Sequence, residues 1–248
     1  SELDSVEQFD LELGEWSSLP PMSTPRGGPA AVLAGGCLLV CGGDDLEVTL
    51  RSCEQLDLAT SRWSELPAMQ SPRRGAALVR VGARVYVLGG DCLAAPPDVE
   101  DEELDYEFLA TAEHLEVAAP PSDPARPHSW VDAPPMHCAR SATAAVASGP
   151  CIYVFGGECP MGVLASAERF DTVAGVWSQL APMGSWRWGP VAAAVRGRVY
   201  VFGGWSESEG DLASAEYLEV DSGSWRPLPP MGTAHVRFSA IIGDKLSA

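Results

Sequence analysis

The chain has 248 residues, 46% of them hydrophobic, with 34 acidic against 16 basic side chains and a formal charge of −18. That apolar share supplies a core and excludes a chain disordered by composition. The acid excess works against nucleic-acid backbones and anionic membrane surfaces, both of which select clustered Lys and Arg. No run approaches the roughly 18 apolar residues of a membrane-spanning helix. There is no Asn, hence no N-glycosylation acceptor. The seven cysteines are odd in number and contain no CxxC pair, which predicts free thiols and a reducing, cytoplasmic setting. The first residue is Ser rather than Met, so a fragment of a longer protein is expected.

In chain order, five marks recur. Residues 1–22 carry Glu7-Gln8-Phe9-Asp10, then Trp16, then Pro20-Pro21-Met22, and are expected to form the last half of a unit. Residues 23–69 form a full unit: Arg26, the doublet Gly42-Gly43, Glu54-Gln55-Leu56-Asp57, Trp63 and Met69. Residues 70–136 repeat it with Arg73, Gly89-Gly90, Glu113, Trp130 and Met136, enlarged by insertions at 91–110 and 118–129. Residues 137–183 give Arg140, Gly156-Gly157, Glu168-Arg169-Phe170-Asp171, Trp177 and Met183. Residues 184–231 give Arg187, Gly203-Gly204, Glu216, Trp225 and Met231, and 232–248 open a further copy at Arg237, with a strand expected to Ile242.

Each unit reads as four strands. Ala77–Val81 and Arg84–Leu88 flank a turn at Gly82, and Ile152–Phe155 and Val199–Phe202 are β-branched and aromatic runs of strand length. A third strand carries the Glu, a fourth passes through the Trp, and proline closes the unit because it cannot continue a paired strand. Four strands in about 47 residues is the period of a propeller blade.

Arg-x15-Gly-Gly followed by Glu-x-Phe/Leu-Asp, Trp and Pro-Met resembles the kelch repeat, and the resemblance covers essentially the whole chain. It implies an all-β, kelch-type β-propeller of about five four-stranded blades with an incomplete closing blade. The Gly doublet is expected where a Cβ would clash. The repeated Trp and Phe are expected to fill the wedges between blades, burying about 150–250 Å² each. Repeat Arg and Glu are expected to pair with each other or with backbone carbonyls.

The resemblance also implies a non-catalytic protein-interaction module, most concretely the substrate-recognition propeller of a kelch-like cullin ubiquitin-ligase adaptor. The alternatives are an actin- or cytoskeleton-associated scaffold and a propeller enzyme. No catalytic residues, metal or cofactor are expected. The four His (114, 128, 137, 235) lack ligand spacing, and no nucleophile elbow or phosphate-binding glycine motif occurs. Cys37 and Cys151 occupy equivalent strand positions, which points to packing.

A protein partner, neither nucleic acid nor membrane, is expected on the face that the family builds from loops after the fourth strand and after the Gly doublet. There Trp186 and Trp205 fall outside the structural Trp series, and with Arg74 and His235 they form a candidate pocket or else cover a blade edge. Seven acids between Asp98 and Glu107, interleaved with Tyr106 and beside Phe108, form either an arm for a basic partner or a solvated loop. The extra Arg that some family members carry two positions after the repeat Arg is missing, since Gly28, Gly75, Ala142, Gly189 and Ser239 stand there.

Overall fold

The computed structural model describes residues 3–45, 47–93, 106–117 and 129–236. Every regular element among them is a β-strand, and no helix is long and apolar enough to cross a membrane. Two compact units account for the chain. One comprises residues 1–87, 91–107 and 113–132; the other comprises 88–90, 108–112 and 133–248.

The first unit opens with a two-stranded sheet, Val6–Asp10 paired with Glu15–Leu19. A four-stranded antiparallel meander follows, Ala30–Ala34, Cys37–Cys41, Cys53–Asp57 and Arg62–Leu66. Most of a second meander belongs here too: Ala77–Val81, Arg84–Leu88, Ala112–Glu116 and Val131–Ala133. The strands flanking Gly82 have the limits that the sequence suggests, whereas the last strand starts just after Trp130 rather than running through it. Leu39, Cys41, Cys53, Met69, Leu78, Val85, Val87, Leu115 and Trp130 form this unit's core.

The second unit holds two further meanders. One is Ala144–Ser148, Cys151–Phe155, Ala167–Asp171 and Val176–Gln179; the other is Val191–Val195, Arg198–Phe202, Ala215–Glu219 and Ser224–Leu228. Cys151–Phe155 is buried at every position, because an interior strand covered on both faces needs an unbroken apolar run rather than an alternating one. The core gathers Tyr153, Phe155, Met183, Val199, Val201 and Leu218.

The spacing of the aromatic marks follows from strand register. Phe9 lies opposite Trp16, Leu56 opposite Trp63, Phe170 opposite Trp177 and Leu218 opposite Trp225. Facing pairs of this kind are the unit of sheet stabilisation. The Asp that ends the motif makes the intervening turn. Oδ1 of Asp57 accepts from the Ala59 and Thr60 N–H groups at 2.8 and 2.9 Å, and Asp10 and Asp171 do likewise.

Each Trp also ties its sheet to the preceding repeat. The indole N–H of Trp63, Trp130, Trp177 and Trp225 donates to the carbonyls of Pro20, Pro67, Pro134 and Ala181, at 2.7–2.9 Å. Trp130 and Trp177 are buried as a wedge residue should be. Trp16 corrects that expectation: it is 68% exposed and packs on Phe9 at 5.2 Å, in a sheet of only two strands among the described residues.

The segments after three of the doublets are short ladders rather than open loops: Asp91–Leu93 with Tyr106–Phe108, Glu158–Cys159 with Gly162–Val163, and Trp205–Ser206 with Gly210–Asp211. The acidic run 98–105, His128, nearly all of insertion 118–129, Arg237 and the strand expected after it lie outside the described residues.

Candidate partner-binding face

In each full repeat the marks converge on a buried polar frame. Arg26, Arg140 and Arg187 each donate from Nη1 to the carbonyl of the first doublet glycine, Gly42, Gly156 and Gly203, at 2.7, 2.8 and 2.7 Å. This explains why the Arg precedes the doublet by 16 residues. Nη2 of each donates to Oγ of Ser52, Ser166 or Ser214, and each guanidinium also meets the repeat Glu. The ion pairs Arg26–Glu54, Arg73–Glu113, Arg140–Glu168 and Arg187–Glu216 close at 2.8–3.1 Å, with side chains almost fully buried.

The Glu has a second task. Its carboxylate accepts the backbone N–H of the residue after the Met, from Ser23, Gln70, His137 and Gly184, at 2.7–2.9 Å. Burial raises the pKa of Glu168. The His137 N–H groups and the Arg140 guanidinium outweigh that cost and hold the carboxyl below its ordinary value. Glu54 is lowered in the same way, with Ser23 and Arg26 overcoming burial.

The doublet glycines adopt left-handed backbone, and a Cβ on Gly156 would collide with the Arg187 carbonyl. Left-handed backbone also explains the missing extra Arg. The position two after the repeat Arg has φ of 58° at Gly28, 61° at Gly75, 50° at Ala142 and 59° at Gly189, where glycine is favoured over long side chains. Ser239 lies outside the described residues.

Beside this frame, the residue after the repeat Arg bridges the residue after the doublet, giving Gly27–Asp44, Arg74–Asp91, Ser141–Glu158 and Trp188–Trp205. Backbone position is thus fixed while side-chain identity varies. In the first unit Arg74 is fully engaged. Its guanidinium reaches Asp91 at 2.6 Å and Asp44 at 3.4 Å, and lies 4.0 Å from the centre of the Tyr106 ring.

In the second unit Trp186 is 57% exposed and Trp205 37%. Trp188 and Trp205 exchange backbone hydrogen bonds at 2.8 Å, which places the Trp186–Trp188 segment against the Trp205 hairpin. His235 donates its backbone N–H to Leu212, and its ring Nε2 lies 2.7 Å from Thr233 Oγ1. His137 has Nδ1 2.8 Å from a Glu168 carboxylate oxygen. Phe108 is partly buried at the end of its short strand.

All seven cysteines are free thiols, and Arg169 donates to Cys151 Sγ at 2.9 Å within the strand pair. Among the described residues no group of three or more His, Cys, Asp or Glu could hold a metal ion.

Sequence reasoning missed Ser52, Ser166 and Ser214. A signal was available: each stands two residues before the repeat Glu, where the remaining full repeat has Thr111. It also missed Met161, 96% exposed at the turn of the Glu158–Val163 ladder, which no repeat mark flags.

Comparison with known families bears on the whole chain. The family described as the kelch motif matches residues 1–23, 25–70, 139–184 and 189–232, more than half of the sequence. The stretch between the second and third matches holds both insertions. No curated protein matches the chain.

Proposed function

The chain belongs to the kelch-repeat family, with all-β, propeller-type blades, and from that premise we propose that it is a non-catalytic protein-interaction module whose partner docks beside Trp186 and Trp205. Kelch repeats mediate protein–protein contacts. The finer role in this reading is substrate recognition for a cullin ubiquitin ligase in the cytoplasm.

One observation carries the choice of face. The repeat Arg, Glu, Gly and most of the repeat Trp side chains are consumed by internal hydrogen bonds and packing, while Trp186 and Trp205 lie off the repeat and remain open to solvent. Trp is enriched among the few residues that carry most of the binding energy at protein interfaces. Arg74, held by two aspartates and Tyr106, is assigned to shaping the first unit's rim.

Affinity capture from cells with the wild-type chain and with Trp186→Ala/Trp205→Ala tests the reading. Specific partners are expected on the wild type alone, at unchanged melting temperature. Identical capture by both proteins overturns it. Co-purification of a cullin with the full-length protein tests the adaptor role.

A further inference from the structure

The second unit carries exposed apolar side chains near carboxylates that join no ion pair among the described residues. Glu158 is bridged to Ser141, and the neighbouring Ala142 accepts the Gly189 N–H at 2.9 Å, which brings the Glu158 ladder beside the Trp188–Trp205 pair. Glu207, two residues beyond Trp205, leans onto the turn of that ladder: a Cβ on Gly162 would lie 3.5 Å from Glu207 Oε1. Exposed Met161 is therefore adjacent to Glu207. Among the described residues none of Glu158, Glu207, Glu209 and Asp211 joins an ion pair, although Arg140 and Arg187 in the same unit are both paired and buried. In the first unit Asp44 and Asp91, the acids at the positions equivalent to Glu158, share the guanidinium of Arg74.

We infer that the surface formed by Trp186, Trp205, Met161, Glu158 and Glu207 takes a peptide segment bearing an arginine or lysine next to an apolar side chain. This rests on the proposed interaction face and specifies its partner's chemistry. The argument is charge complementarity on an apolar ground. A guanidinium or ammonium gains from stacking on an indole face, and its aliphatic stem covers apolar surface while its head reaches a carboxylate. An acidic segment meets repulsion from these carboxylates, so the same surface selects against it. A thioether beside the turn adapts to an apolar neighbour of varied shape.

A random-decapeptide display library panned on the full chain tests this directly. Enrichment of Arg or Lys flanked by an apolar residue is expected. Selected peptides should bind Glu158→Gln/Glu207→Gln and Trp205→Ala at least tenfold more weakly, and should weaken with added salt because the pairs are exposed. Melting temperatures should not change. Enrichment of acidic or wholly apolar peptides, or basic peptides indifferent to Glu158→Gln/Glu207→Gln, overturns the inference and leaves the interaction face standing. Absence of any selection relative to Trp186→Ala/Trp205→Ala overturns both.

Discussion

Arg74 with Asp91 in the first unit and Trp188 with Trp205 in the second occupy the same two repeat positions, and the backbone bridges them in the same way. Their side chains do opposite things. Arg74 is spent on Asp91, Asp44 and the Tyr106 ring, so both aspartates of that rim have a cationic partner. The Trp pair leaves an indole partly in solvent, near carboxylates that join no ion pair among the described residues. The repeat therefore dictates where the backbone goes and which Arg–Glu frame lies beneath, but not the chemistry displayed above it. On the proposed reading, stability resides in the side chains that recur, and partner choice in those that do not.

Breaking the frame should have the largest effect. Arg140→Ala leaves Glu168 buried without its guanidinium partner, which costs about 3–5 kcal/mol in chemical denaturation, with loss of folding as the extreme outcome. Gly156→Ala forces a Cβ toward the Arg187 carbonyl and adds backbone strain of roughly 1–3 kcal/mol, read by the same assay. Neither variant should alter which partner class is preferred by the fraction that folds.

Acid probes the frame without mutation. Glu54 and Glu168 have folded pKa values below their ordinary one, so their contribution is complete above about pH 4.3 and is lost as pH falls through the lower folded value. A stability–pH series should decline on that acid limb, and Glu168→Gln should flatten it.

The rim substitutions sharpen the contrast at the small end. Arg74→Ala should cost about 1–3 kcal/mol, less than Arg140→Ala, since it leaves the buried Asp91 without its guanidinium while Asp44 stays partly solvated. Trp186→Ala should shift stability by about 0.5 kcal/mol or less.

The sequence made the frame legible because each mark answers a fixed geometric need. The Arg reaches a carbonyl 16 residues on, the Trp faces the Phe or Leu across a turn, and the Asp closes that turn. Which Glu pairs with which Arg was not legible, because spacing alone allows the same repeat or the next. The structure places each pair within one repeat. Trp186 and Trp205 were visible as departures from the series, but the carboxylates around them were not. Glu158 and Glu207 are far apart in sequence and come to the same short ladder only through the fold, Glu158 by its bridge to Ser141 and Glu207 by its approach to the turn at Gly162. Arg74 looked like an anchor because its bonds to Asp44 and Asp91 depend on tertiary position.

The most direct test titrates one captured partner against wild type, Arg74→Ala and Trp186→Ala/Trp205→Ala, with melting curves recorded in parallel. Loss of about 2 kcal/mol or more, roughly thirtyfold in Kd, is expected for the Trp double variant alone, with all three proteins equally folded. Equal affinity for wild type and the Trp variant, or a comparable loss for Arg74→Ala, would contradict the division between a structural frame and a recognition surface.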